Sequence, residues 1–312
     1  MHRLPCWLIC AALSLAPNAH GKELNGFVLD EPLVPAAEIV KGGPPRDGIP
    51  SLEKPKFVAA KKARFLSDND RVLGISLNGV SRAYPIRILN YHEIVNDVFP
   101  DGNGFTPVVV TYCPLCGTGM AFTSNIKVRQ LEFGVSGLLY NSDVLMYDRQ
   151  TGSLWSQIMK QAINGPLKGQ HLEQLVLTHT SWRDWRNRHP KTVVLSDDTG
   201  YKRSYRTSPY PNYGRDSTLY FPVNHSNTEY RRKELVMGLE IDRQFKAYPF
   251  KELHRSPERF QDEFEGMSFD VIYDKKNKTA RIVDENNQEV PTTLAFWFAW
   301  YAFHPDTDVY RE

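Results

Sequence analysis

The sequence predicts a β-rich α+β fold made of two related β-hairpin/helix units packed with short helices. The first observation behind this is an internal match. Val72-Leu73-Gly74-Ile75-Ser76-Leu77-Asn78 leads to Arg82-Ala83-Tyr84-Pro85-Ile86-Arg87-Ile88-Leu89, and Val236-Met237-Gly238-Leu239-Glu240-Ile241-Asp242 leads to Lys246-Ala247-Tyr248-Pro249-Phe250-Lys251-Glu252-Leu253. The two stretches align without a gap. Each reads as a strand, a tight turn at Asn78-Gly79 or Asp242-Arg243, a second strand, and a short helix starting near the Tyr-Pro. The second observation is alternation: Asp143–Asp148 and Ser153–Gln157 flank Arg149-Gln150-Thr151-Gly152, which is a hairpin signal. The third is an aromatic content of 12%, residues that suit the half-buried face of a sheet.

In chain order, residues 1–21 read as a secretory signal peptide. His2 and Arg3 precede an apolar run from Trp7 to Leu15, and small residues lead to Ala19-His20-Gly21, with cleavage expected after Gly21. The run is shorter than the roughly 20 residues that span a bilayer. The mature chain is therefore expected to be extracytoplasmic, periplasmic or secreted, with no integral membrane span. Residues 22–56 are dominated by proline, glycine and charge, culminating in Gly42-Gly43-Pro44-Pro45-Arg46-Asp47-Gly48-Ile49-Pro50, and read as an extended arm laid over the body. Residues 57–160 form the first unit and residues 161–312 the second. Within the latter, Ser181 is placed to cap a short helix through Trp182, Trp185 and Arg188, ending before Pro190. The apolar stretch Leu294–Phe303 reads as a buried helix, too short for a span. Formal net charge is +2 with the two signs interspersed, so no basic stripe for nucleic acid and no polybasic segment for anionic lipid is present. The partner is a small molecule or a protein that the sequence does not name.

Of four cysteines, Cys6 and Cys10 fall in the signal, which leaves Cys113 and Cys116 in one Cys-Pro-Leu-Cys motif. The internal match bears on them. Val108–Tyr112 followed by Cys113-Pro114-Leu115-Cys116-Gly117-Thr118 corresponds to Phe269–Tyr273 followed by Asp274-Lys275-Lys276-Asn277-Lys278-Thr279. The sister turn does without cysteine, so the fold does not require the pair. Three chemistries remain open. A structural disulfide across so small a loop is worth only about 2 kcal/mol in the chain-entropy model. Thiol–disulfide exchange profits from a helix N-terminus at the motif, whereas Gly117-Thr118-Gly119-Met120-Ala121-Phe122 reads as a turn and a strand. Metal binding is favoured: two thiolates on a tight turn can face one ion, and without a second Cys-x-x-Cys for a closed zinc site copper(I), which prefers soft ligands, is expected ahead of zinc. If the protein is an enzyme, a copper-dependent oxidoreductase is the expectation.

The third ligand or general base is expected to be His92, one element before the cysteine strand and absent from the second unit, where Ser256 stands. Met120 and Met146 are alternative thioether donors or core residues. Asp148, Trp155 and Ser156 on the neighbouring hairpin are expected to line a pocket for a cofactor or substrate, with turn chemistry and core packing as the alternative. Asp47 on the arm is placed to close over the same site. The catalytic and metal set is thus Cys113, Cys116 and His92.

The ordered motifs Gly42–Pro50, Arg82-Ala83-Tyr84-Pro85, His92-Glu93-Ile94-Val95-Asn96-Asp97, Tyr112–Thr118, Asp148-Arg149, Thr151-Gly152-Ser153-Leu154-Trp155-Ser156 and Phe296-Trp297-Phe298-Ala299-Trp300 resemble those of the bacterial and archaeal family catalogued as domain of unknown function 3179. The resemblance covers nearly all of the mature chain. It implies no particular reaction, so the chemistry rests on the residues themselves.

Overall fold

The computed structural model describes residues 21–126 and 129–312. The expected signal peptide, residues 1–21, lies outside them apart from Gly21. Among the described residues strands dominate, the longest helices have seven residues, and no helix is long and apolar enough to cross a membrane.

The Asn78-Gly79 turn, with φ positive at both positions, joins β1 (Arg71–Leu77) to β2 (Val80–Pro85). This is the backbone that a two-residue hairpin turn demands. Pro85 holds the extended cap residue before α1 (Ile86–His92). A meander follows: β3 (Ile94–Asp101), β4 (Gly104–Cys113) and β5 (Thr118–Thr123). Residues 124–177 then contribute a separate sheet of β6 (Phe133–Tyr140), β7 (Asp143–Asp148), β8 (Leu154–Ser156) and β9 (Gln161–Asn164), with Val40–Lys41 of the arm on its edge. The chain returns to the first hairpin as β10 (Thr178–Ser181), antiparallel to β1, continues as α2 (Trp182–Arg188), and adds β11 (Val193–Leu195) parallel to β2. Ser181 caps α2 as expected, accepting the Asp184 N–H.

The C-terminal part runs through the same succession. β12 (Leu235–Ile241) and β13 (Gln244–Pro249) form a hairpin, α3 (Phe250–Leu253) follows, and β14 (Arg259–Phe264), β15 (Met267–Asp274) and β16 (Thr279–Val283) form a meander. Then β17 (Thr293–Phe296) lies antiparallel to β12, α4 (Trp297–Phe303) follows, and β18 (Asp308–Val309) lies parallel to β13. In both hairpins a tryptophan lies flat on a glycine. A Cβ at Gly74 would come 2.3 Å from the Trp185 ring, and one at Gly238 would come 2.1 Å from Trp300. Each indole donates to a threonine seven residues on: Trp185 to Thr192 at 2.9 Å and Trp300 to Thr307 at 3.1 Å. Because β10 pairs with β1, residues 178–195 go with the first hairpin, and a division of the units at 160/161 does not follow the hydrogen bonding.

The two hairpin–meander regions are interlocked. A seven-stranded sheet, ordered β18-β13-β12-β17-β5-β4-β3, joins the second hairpin to the first meander. The second meander keeps its own sheet, and its turn packs on the first hairpin, where Arg71 donates to the Asn277 and Lys278 carbonyls and Ser181 donates to Asn277 Oδ1 at 2.6 Å. The arm runs along the body: the Asp47 N–H reaches the Val135 carbonyl at 2.9 Å, and Leu52 bridges to Val95.

Candidate metal centre

The Cys-Pro-Leu-Cys turn closes β4 onto β5 with Cys113 opposite Thr118. Gly117 turns the chain at φ +64°, and a Cβ there would press on the Phe296 ring at 3.1 Å. The Cys116 carbonyl accepts the Phe296 N–H at 2.8 Å, so the turn is anchored on β17. Both sulfurs point inward and are buried, at 2% and 0% exposure. They face the tip of the β6–β7 hairpin, whose two-residue turn, Asn141-Ser142, has φ positive at both positions. Cys116 Sγ lies 3.3 Å and Cys113 Sγ 3.9 Å from the Ser142 carbonyl. The next residue, Asp143, is 1% exposed. One of its carboxylate oxygens and the two sulfurs all lie within 4.8 Å of one another.

Asp143 Oδ2 accepts the Ile158 N–H at 3.2 Å, whereas among the described residues Oδ1 is buried without a hydrogen-bond partner. The two thiols beside it are weak donors, which leaves much of the desolvation cost of that oxygen unmet. Burial pushes the Asp143 carboxyl up to about 7, against the opposing pull of the Ile158 and Val144 N–H groups. Glu93 stands close by, 7% exposed, pushed up to about 8 by burial and then by the charge of Asp143. It occupies an unusual backbone conformation (φ 57°, ψ −33°) at the junction of α1 and β3, the kind of local strain that collects at functional sites. Both thiols are also raised by burial, Cys116 the more strongly. Four acids thus share one low-dielectric volume, and no cationic side chain figures among the principal influences on any of them.

The cover comes from residues 196–234, which join β11 to β12 with only a short 3-10 turn, Tyr213–Arg215, as regular structure. Tyr213 packs in the core cluster of the two cysteines, with Tyr210 and Phe221 against it. Burial raises both tyrosine hydroxyls, with Glu93 and Cys113 acting next on Tyr210, and Cys116 and Cys113 on Tyr213. The Ser142 hydroxyl donates to the Phe221 carbonyl at 2.7 Å.

The chain belongs to the family described as "Protein of unknown function (DUF3179)". The family profile matches residues 46–307. No curated protein and no solved structure matches the chain.

In this DUF3179 chain the site differs from the expected one in its third member. His92 is fully buried, but its ring is engaged at both ends: Nδ1 lies 2.7 Å from the Pro50 carbonyl and Nε2 2.6 Å from the Tyr205 hydroxyl. Donation to a carbonyl fixes the proton on Nδ1, so a neutral ring accepts from Tyr205. Burial lowers its basicity accordingly. His92 therefore fastens the arm to the covering segment, and Asp143 takes the place beside the sulfurs. Asp148, Trp155 and Ser156 are all buried, and the first two form a turn network in which Asp148 Oδ2 accepts from the Trp155 indole at 3.0 Å and from Thr151 Oγ1 at 2.9 Å. The Ser156 hydroxyl accepts the Met159 N–H. These three belong to the sheet whose β7 begins at Asp143. Met120 and Met146 are core residues of the same cluster, and the Asp47 carboxylate is engaged by Tyr147 and Arg149. No local pattern sets Asp143 apart from Asp148, the acid at the other end of the same strand. Glu93, next to the histidine that drew attention, carried no signal either.

Proposed function

We propose that this is an extracytoplasmic metalloprotein that holds one ion between Cys113 Sγ, Cys116 Sγ and the Asp143 carboxylate. The observation that carries the reading is the buried convergence of these three donors, one of whose oxygens has no other partner. The donor set bears on the ion. Two thiolates and a carboxylate carry three negative charges; a divalent ion leaves one uncompensated, and copper(I) leaves two, in a volume where uncompensated charge is expensive. With a hard oxygen in place of the expected imidazole, borderline Zn²⁺ moves ahead of copper. Copper(I) is the second reading, supported by the two sulfurs. Three protein donors leave a fourth position of a tetrahedral ion unclaimed, as in reactive zinc sites, and Glu93, whose charge acts on Cys113, is a buried acid available as an acid–base group. Thiol exchange finds less support, because both sulfurs are buried and burial raises their pKa, the opposite of what an attacking thiolate requires.

Elemental analysis of protein purified under reducing conditions tests this. The parent should carry about one ion per chain, Cys113→Ser/Cys116→Ser none, and Asp143→Ala should bind at least about tenfold more weakly. Titration with zinc and with copper(I) under competition for a chelator identifies the preferred ion. A metal-free parent that takes up neither ion, or a double variant with unchanged content, would sink the proposal.

A further inference from the structure

A cleft of about 790 Å³ opens between residues 228–235 and α3, with Tyr230, Phe250 and Tyr273 as aromatic wall and Arg231, Lys251 and Lys278 around it. Two acids line it as well. Glu229 pairs with Arg311 at 2.8 Å, and Glu234 accepts the Lys251 backbone N–H at 2.9 Å. Among the described residues, no hydrogen bond or ion pair reaches the head groups of Arg231, Lys251 or Lys278; Lys251 Nζ only lies over the Tyr230 ring, at 5.8 Å. His254 on the same rim uses Nδ1 toward the Tyr273 hydroxyl at 2.9 Å.

The first unit has the matching crevice, and there the cation is answered. Asp70, Ile86 and Arg87 stand at the positions of Glu234, Phe250 and Lys251, and the space is about 200 Å³ with Tyr205–Ser208 along it. Arg87 binds Asp70 at 2.6 Å and the Phe65 carbonyl at 2.8 Å. The second crevice is larger, and among the described residues Glu234, at the Asp70 position, meets the Lys251 backbone N–H and not its ammonium. Its volume is that of a small-molecule site, and its chemistry is that of an anion site with an apolar floor.

We infer that this second cleft binds a small oxyanion of at least two negative charges, a polycarboxylate or a phosphate-bearing molecule, held by Arg231, Lys251 and Lys278 with its body on the Tyr230–Phe250–Tyr273 wall. The inference is independent of the metal centre. Calorimetric titration of the mature chain with pyrophosphate and with citrate, at constant ionic strength, tests it. The parent should bind one or both, and Lys251→Ala/Lys278→Ala should weaken binding about tenfold or more, since each charge-assisted bond lost is worth about that factor. Lys61→Ala/Lys62→Ala, which removes the same charge from an exposed turn elsewhere, should leave the affinity unchanged. Binding of both probes assigns the site to charge alone, and binding of pyrophosphate only assigns it to phosphate. No binding of either, or equal weakening in both double variants, overturns the inference.

Discussion

The turn from β4 to β5 and the turn from β15 to β16 have the same length and the same register, Cys113 facing Thr118 and Asp274 facing Thr279, yet they are closed in different ways. In the second, Asp274 accepts the Asn277 N–H at 2.9 Å and its side-chain amide at 2.7 Å, a self-sufficient polar clamp. In the first, the same two positions are cysteines, which offer only weak hydrogen bonds. The surroundings differ in step. Residues 284–292 suffice to join β16 to β17, whereas residues 124–177 join β5 to β10 and bring Asp143 to the sulfurs. Residues 196–234 bring the tyrosines over them. Glu93 and Glu258 make the same backbone bond, accepting Tyr112 N–H at 2.7 Å and Tyr273 N–H at 2.8 Å, but Glu258 is exposed and Glu93 buried. What one region has beyond the other converges on the cysteine turn, and that is what separates a site from a scaffold here.

The most severe test exchanges the two closures. Cys113→Asp/Cys116→Asn should write the polar clamp into the first turn and abolish metal content, while circular dichroism shows the fold retained. The reciprocal Asp274→Cys/Asn277→Cys should gain no tight metal binding, because no carboxylate from an added hairpin stands behind that turn. Tight binding by the reciprocal variant would show that two cysteines on this turn are enough and that Asp143 is incidental.

A smaller effect, of opposite sign in the two regions, is expected from pH. Burial pushes Asp274 up, but the Asn277 side-chain and backbone bonds outweigh it, and the net pKa is lowered. That clamp is fully stabilising above the ordinary aspartate range and weakens as pH falls below it. Asp143 and Glu93 are raised to about 7 and about 8. Their contribution to the ion-free fold is complete below about pH 4 and is lost as pH rises through 7 to 8. The melting temperature of chelator-treated protein should therefore fall between pH 5 and 8.5 by roughly 5 °C or more, and saturation with the ion should remove the fall, since ionised ligands are then paired. A pH-independent melting temperature in the ion-free protein would mean that the two carboxyls are not buried together.

Much of this scaffold was legible from local pattern. Strand period, the Asn78-Gly79 turn and the Tyr-Pro helix starts are all written within a few neighbouring residues, and each folds as read. The match also extends further than the aligned stretches: Trp182-x-x-Trp185-x-x-x-His189-Pro190-x-Thr192 recurs as Trp297-x-x-Trp300-x-x-x-His304-Pro305-x-Thr307, a pattern obscured by the different residues between. The cysteine pair was legible because its counterpart lacks it. The same logic singled out His92, but its partners, Pro50 and Tyr205, lie far away in sequence and no local spacing announces them. Asp143 was missed for the same reason. Its place beside the sulfurs depends on how one sheet docks on another, a long-range packing outcome that a period cannot encode.

The smallest difference lies in the shared scaffold itself, where the regions should be nearly equal. Thr192 and Thr307 both accept an indole N–H, but Thr192 is 2% exposed and Thr307 is only part-buried. Thr192→Val leaves the Trp185 N–H sealed from water and should cost about 1–3 kcal/mol, the range for an unsatisfied buried donor. After Thr307→Val the Trp300 N–H can turn to solvent near the surface, so the loss should stay near or below about 1 kcal/mol. Urea denaturation of the two variants measures both. If Thr307→Val proves the costlier, the second bond is carrying more than its tryptophan, and the ends of α4 and β18 are held by the threonine in a way that their counterparts in the first region are not.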